Sequence, residues 1–234
     1  MFSRHDLERR YNVHSMREDE WHAHSGRVTA CLVRGHLETA RSPSILLLNA
    51  GAGVYEFPHQ RWHEIALDLF IKPIKARRNA VCGSIEALPF SPQAFGAVVC
   101  VGEVVAYCDP ATVFREFARA LAPTGLLILD FRSTRSARYW FRRQYGRAAE
   151  LATDIYNETP ERTWIYDPRY IRRLLDVSGF VVRQVLGTHV WSSVLCAIGL
   201  PTSQATRIER TLPAPALLQG FADLVTIVAE RATA

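Results

Sequence analysis

The chain alternates short, nearly unbroken apolar runs with stretches whose apolar residues recur at helical spacing. Residues 1–42 are polar and rich in His, Arg and Glu, with helical spacing over 28–40. A buried strand is predicted over 44–49 (Ser44-Ile-Leu-Leu-Leu-Asn49), running into Gly51 and Gly53. Further strands are predicted over 64–68, 80–82, 94–101 and 126–131. Between the last two, 112–121 has an amphipathic period that puts Val113, Phe114, Phe117, Ala118 and Leu121 on one side, and Pro123-Thr124-Gly125 stops it. Continuously apolar strands alternating with helices indicate a parallel sheet covered on both faces. The tail reads differently: a helix over 167–177, a break at Gly179, a strand over 180–186, about thirty residues read as irregular, and a last strand over 222–229. No repeat, low-complexity tract or linker marks a boundary, so one domain is expected over 1–234.

Composition narrows the class. A chain of 234 residues suits one three-layer α/β unit. The formal charge of +5 comes almost wholly from arginine, since Lys72 and Lys75 are the only lysines. Spread over a domain, that excess describes a solvated basic surface and also suits an anionic ligand. The five cysteines are odd in number and lack a Cys-x-x-Cys pair, as expected of reduced thiols in a cytoplasm. The opening Met1-Phe2-Ser3-Arg4-His5-Asp6 is too polar for a signal peptide, and no apolar run approaches the roughly 20 residues of a membrane span. A cytoplasmic protein is expected.

The series Leu46-Leu-Leu-Asn49-Ala-Gly51-Ala-Gly53, then Asp68, Gly83-Ser-Ile-Glu-Ala-Leu-Pro-Phe90, Ala97-Val-Val-Cys-Val101 and Ala120-Leu-Ala-Pro-Thr-Gly125 resembles the class I S-adenosylmethionine (SAM) methyltransferases. It is most similar to the small-molecule branch typified by ubiquinone/menaquinone-biosynthesis methyltransferases (methyltransferase type 11), over roughly residues 44–131. The resemblance implies a Rossmann-like α/β fold whose seven-stranded sheet has the order 3-2-1-4-5-7-6, the seventh strand antiparallel, with helices on both faces. It implies SAM as cofactor, a small-molecule acceptor and no membrane; nucleic acid is not expected. It also divides the chain into an N-terminal helical lid (1–42), a cofactor core (44–131) and substrate-side insertions at 132–164 and 188–219.

Site residues follow from the same matches. Gly51 and Gly53, lacking Cβ atoms, let the backbone approach a ligand at the turn after the first strand. Asp68 ends the second strand, where a carboxylate accepts both ribose hydroxyls, and Leu69 follows it. Ser84 and Ile85 fall at the adenine edge, Ser84 standing where the family commonly has an aspartate. Val101, with Cys100 and Gly102, lines the end of the fourth strand; for Cys100 core packing is the better reading. Asn49 replaces the family's first acid, and Tyr55 stands at its third glycine. With Pro58 close by, the crossover to Asp68 has room for one or two helical turns, which weakens the helix end facing the methionine carboxylate. Tyr11 is expected to supply a compensating contact from the N-terminal segment, and Tyr107 and His14 are candidate bases.

Rival readings fail on particular residues. A Gly-x-Gly-x-x-Gly count from Gly51 reaches Glu56, which excludes a dinucleotide dehydrogenase. Gly102-Glu-Val-Val replaces the motif of nucleobase amino-methylating enzymes, and no Pro-Cys dipeptide occurs. His59 and His63 share a helical spacing but have no third ligand, so no metal site is expected. The remaining alternative is a methyltransferase-fold protein that binds SAM or another ligand without methyl transfer, as a structural, regulatory or cyclase-like protein.

Overall fold

The computed structural model describes residues 20–156, 159–212 and 214–233. A helix, α1, occupies Glu20–Thr39 and buries Thr29, Val33 and Leu37, one residue per turn on a single face. Strands β1 (Leu46–Ala50), β2 (His63–Asp68), β3 (Ala80–Cys82), β4 (Phe95–Cys100) and β5 (Leu121–Arg132) follow, with the short helix α2 (Ile71–Ile74) after β2 and α3 (Pro110–Ala120) before β5. A hairpin, β6 (Ala149–Tyr156) and β7 (Thr159–Tyr166), precedes α4 (Pro168–Val177) and β8 (Phe180–Thr188). Helices α5 (Trp191–Ala197) and α6 (Thr202–Thr211) lead to the last strand, β9 (Leu224–Arg231).

Seven strands form one sheet in the order β3-β2-β1-β4-β5-β9-β8, as expected from the resemblance, and β6 and β7 form a separate two-stranded sheet. β1 pairs in parallel with β2 and β4, and β4 with β5. β9 runs antiparallel to both neighbours: Ser133 N–H donates to Asp223 O at one end, while Arg231 donates to Leu121 O at the other. On the far side, Gly187 abuts Ala222 and Ala232 N–H donates to Gly179 O. Every residue of β4 is buried, consistent with its central place.

By contacts the chain sorts into two compact units, one of Thr29–Asp130, Ile171–Val185 and Thr226–Ala234, the other of Met1–Val28, Phe131–Tyr170 and Leu186–Val225. In the first, Val33 and Leu37 of α1 pack with Leu47, Ala97, Val99, Val101, Ile128 and Val228. In the second, the hairpin buries Ala152 and Ile165 against Tyr139.

The structure corrects several sequence expectations. No helix forms between β1 and β2. Phe57 and Trp62 anchor that crossover instead, both buried in the cluster beneath α1, with Trp62 Nε1–H donating to Leu37 O at 2.9 Å. β5 starts at Leu121, directly after α3. Phe95 pairs with Leu121 but Ala97 with Leu126, so Pro123-Thr124-Gly125 bulges out of the strand, with Thr124 at φ 62°. Residues 149–166 form a hairpin, and α5 and α6 fill much of the stretch read as irregular. Over Ala137–Tyr139 the chain makes a 3-10 turn, with Tyr139 buried and Phe141 exposed.

Candidate functional site

The chain leaves β1 through two residues in the left-handed region, Gly51 at φ 70° and Gly53 at φ 46°. A Cβ on Gly51 would lie 2.5 Å from a methyl of Val104, so that position needs glycine for both space and conformation. The loop folds back onto the end of β2: Gly51 and Ala52 N–H both donate to Leu67 O, at 2.8 and 3.0 Å. Gly53 N–H donates to Asp68 Oδ2 and Phe70 N–H to Oδ1, each at 2.9 Å. Asp68 is 4% exposed, and this burial raises its carboxyl above the ordinary range, while the amides of Phe70, Gly53 and Leu69 and the charge of Arg77 pull it back. A carboxylate offers about four acceptor positions, so beyond these amides it keeps capacity for a ribose hydroxyl.

Where a helix would have held this crossover, a polar network does so. Asn49, 1% exposed, donates its side-chain amide to Tyr55 O at 2.8 Å and to Glu64 Oε1 at 2.9 Å. Glu64 Oε2 accepts from Phe57 N–H, and Oε1 accepts from Arg77 Nη1 at 3.1 Å. Arg77 reaches further, donating to Tyr55 O at 2.6 Å and Gly53 O at 3.2 Å. Three side chains from β1, β2 and the segment after α2 thus satisfy loop carbonyls and amides that lack a helical ladder. Asn49 therefore spends its amide on the loop itself. Glu64 and Arg77 were not singled out in the sequence. Glu64 lay inside the second predicted strand, where its burial gave no chemical signal, and Arg77 was one arginine among many.

The other predicted residues fall around this loop. Gly83 N–H donates to Asp68 O at 2.9 Å, setting Ser84 and Ile85 just beyond the end of β3. Ile85 is buried, and Ser84 Oγ accepts from Glu86 N–H. Cys100 and Val101 are buried at the end of β4, and burial pushes the Cys100 thiol well above its usual range, as befits a packing residue. Gly102 is exposed at φ 87°, and a Cβ there would stand 2.9 Å from the Tyr55 ring. Tyr107 sits half-buried in the 3-10 turn Val104–Tyr107. Tyr11 and His14 lie outside the described residues. Among the described residues, no three His, Cys, Asp or Glu side chains are grouped to hold a metal.

One acid at this edge escaped the sequence reading. Asp130, near the end of β5, is 2% exposed and accepts from Gly102 N–H at 3.1 Å and Glu103 N–H at 2.8 Å. Burial pushes its carboxyl up to about 7, with a further push from the charge of Glu103. It fixes the turn after β4, in which Glu103 is held at φ 63° and Val104 meets Gly51. Its signal was available: Asp130 follows its apolar run as Asp68 follows its own.

The ends of β1, β2, β4 and β5 are therefore tied by Asp68–Gly53, Gly51–Val104 and Gly102–Asp130 into one glycine-lined rim, at the strand ends where open α/β sheets take ligands. Residues 50–129 match the profile of the type 11 family described as a methyltransferase domain. No curated protein sequence matches the chain. Among solved structures, a SAM-dependent methyltransferase from Mesorhizobium loti is 14% identical, with a TM-score of 0.54 over 84% of this chain and 96% of that one. The Burkholderia thailandensis 1,6-didemethyltoxoflavin-N1-methyltransferase is 13% identical, with a TM-score of 0.56 over 98% of this chain and 84% of that one. The cyclase SpnF is 14% identical, with a TM-score of 0.56 over 93% and 86%. Residues 50–129 thus match the type 11 methyltransferase model, and the sheet has the fold of the class I SAM-dependent methyltransferases.

Proposed function

We propose that the chain is a SAM-dependent methyltransferase that moves a methyl group to an O, N or C atom of a small molecule. The observation that carries this reading is the buried Asp68 carboxylate, set at the end of β2 against the amide of Gly53. In this reading Asp68 holds the ribose hydroxyls, Leu69 and Ile85 flank the adenine, and Ser84 takes its exocyclic amine. Gly51, Gly53, Val101 and Gly102 leave room beside the methionine portion, and Asn49 acts one step back by fixing the loop. When bound, SAM supplies an electrophilic methyl; the chain's part is to align an acceptor about 3 Å from that carbon. Tyr107 and His14 are the proposed groups for removing an acceptor proton. Residues 1–42 serve as a lid, and 132–164 and 188–219 enclose the acceptor, all within one functional domain.

The structural relatives support a small-molecule acceptor: the Burkholderia enzyme holds 1,6-didemethyltoxoflavin, and geranyl diphosphate methyltransferases are also similar. No helix among the described residues is long and apolar enough to cross a membrane. The five unpaired cysteines support a reducing, cytoplasmic setting. Calorimetry with SAM and S-adenosylhomocysteine tests the reading. Both should bind, and Asp68→Ala should weaken each by about 2 kcal/mol, the range for hydrogen bonds to a charged group. A folded variant with unchanged affinity would remove Asp68 from the cofactor site. A second reading, ligand binding without methyl transfer, is favoured by the Tyr55 ring standing against Gly102. Binding without any S-adenosylhomocysteine formed across an acceptor screen would decide for it.

A further inference from the structure

A tight turn over Tyr139–Arg142 closes where Arg142 N–H donates to Tyr139 O at 2.9 Å. Its corners are Trp140, at φ −54° and ψ 134°, and Phe141, at φ 62°. These are the angles of a type II turn, whose second corner is ordinarily glycine or asparagine. A left-handed backbone is strained for phenylalanine, and a strain of this kind persists where function holds it. The turn is fastened from below. Tyr139 is buried and its hydroxyl accepts from Arg132 Nη2 at 2.9 Å, while Gly146 N–H donates to Thr134 O at 3.1 Å. Yet Phe141 is fully exposed, so packing recovers nothing at that corner. Trp140 is exposed as well, with its ring edge-on to Phe221 at 5.6 Å.

The charge around the turn has one sign. Residues 131–148 contain six arginines and no acid. Three of them turn inward: Arg135 meets Asp167 at 2.9 Å, and Arg132 and Arg138 meet Asp223 at 3.6 and 3.5 Å. Arg138 also lies over the ring of Trp21, which stacks on His189. The other three, Arg142, Arg143 and Arg147, are exposed. Glu150 stands 3.6 Å from Arg143 and 3.5 Å from Arg147, so these three cations share a single carboxylate among the described residues. Two aromatic corners are thus presented beside an uncompensated positive charge.

That combination selects the occupant. A second copy would set Arg142 and Arg143 against their own counterparts, and like charges across an interface are costly. A stable protein interface covers about 800 Å² on each partner around an apolar core, whereas the apolar surface here is two corner side chains. An anionic bilayer surface asks for less. Aromatic rings settle at headgroup level, and guanidinium groups pair with lipid phosphates.

We propose that the Tyr139–Arg142 turn docks the protein on an anionic lipid surface. Phe141 and Trp140 enter the headgroup layer, and Arg142, Arg143 and Arg147 hold the phosphates. This is contact with one leaflet and not a span. It goes beyond the methyltransferase reading and does not depend on it.

The test floats the full chain, without SAM, with vesicles of phosphatidylcholine alone or with an equal part of phosphatidylglycerol. The mixed vesicles should carry the protein and the neutral ones should carry far less. Phe141→Asn suits the left-handed backbone, so the variant should melt no lower than the parent. Its binding to mixed vesicles should nevertheless fall about tenfold or more, the effect of losing a buried phenylalanine. Arg142→Gln with Arg143→Gln should cost about thirtyfold, from two cations near the surface. Brominated lipid should quench fluorescence that Trp140→Phe removes. Vesicle binding that survives Phe141→Asn overturns the proposal, as does a parent that ignores mixed vesicles. Should that parent instead self-associate or bind a single-stranded oligonucleotide through Phe141, the turn serves that partner and lipid docking is excluded.

Discussion

The guanidinium of Arg77 meets the carboxylate of Glu64 at 3.1 Å, and the same guanidinium holds the carbonyls of Gly53 and Tyr55. This one side chain does for the β1–β2 crossover what a helical hydrogen-bond ladder does elsewhere in the fold. Arg77→Met keeps the stem but leaves Glu64, which is only 19% exposed at the side chain, without its charge partner. The expected cost is about 3 kcal/mol, the scale for stranding one half of a mostly buried pair. Urea unfolding measures it. Because the loop carries the glycines, SAM affinity should fall in the same variant even where it remains folded.

Gly51 and Gly53 should differ sharply in what they tolerate. Gly51→Ala places its methyl 2.5 Å from Val104 and holds alanine at φ 70°. Gly53→Ala meets nothing closer than 4.0 Å. The second substitution should cost about 1 kcal/mol, for backbone conformation alone. The first should exceed it by about 1–3 kcal/mol, the range for overpacking. Adding Val104→Ala should recover part of the loss at Gly51 and nothing at Gly53. Thermal unfolding of the four variants checks this, and equal losses at both glycines would contradict the contact.

Asp130 ties stability to pH. Its carboxyl is raised to about 7 in the folded chain, against about 3.9 when unfolded. Between these values the unfolded chain has lost a proton that the folded chain keeps. Folding therefore loses stability as pH rises through this window and levels off above it. Asn at this position does not titrate. The stability of Asp130→Asn relative to the parent should climb by up to about 4 kcal/mol from pH ~4 to pH ~7. A constant offset also enters, because Asn offers one acceptor where Gly102 and Glu103 N–H now meet two. Urea melts across that range give the slope, and a flat difference would mean Asp130 is ionised throughout.

The sheet was legible because its strands are buried on both faces and so read as unbroken apolar runs, from Leu46-Leu-Leu to Leu126-Leu-Ile-Leu. Gly51, Gly53 and Asp68 were legible because backbone conformation and a strand-end carboxylate leave local marks. Glu64 and Arg77 were not, since their meeting depends on the register of β2 and on where α2 delivers the chain, neither of which is local. The hairpin over 149–166 was missed for a related reason. Glu150, Thr153 and Arg162 break its alternation, and its apolar positions pack on Tyr139 rather than in the main sheet. His189 lay in the stretch read as irregular and Asp223 inside the last predicted strand, and neither carried a chemical signal in the sequence.

The shortened crossover makes a last expectation about the N-terminal segment. A helix end at a glycine loop ordinarily offers free amides to an anion. Here Gly51 and Ala52 N–H are bound to Leu67 O, Gly53 N–H to Asp68, and Tyr55 N–H to Ala52 O. Arg77 is engaged with Glu64 and two carbonyls. With these four amides committed, a donor from outside the loop is expected to help hold the methionine carboxylate of SAM, since a buried anion without donors is strongly disfavoured. Residues 1–19 precede α1 and contain Tyr11, Arg9, Arg10 and Arg17, which can supply that contact. Deleting residues 1–19 should weaken SAM by about tenfold or more, the effect of losing one hydrogen bond to a charged group, and Tyr11→Phe should reproduce part of it. Circular dichroism should show the sheet intact in both. Calorimetry on the full and shortened chains decides: equal dissociation constants would place the carboxylate's donor within residues 20–234 and take Tyr11 out of the cofactor site.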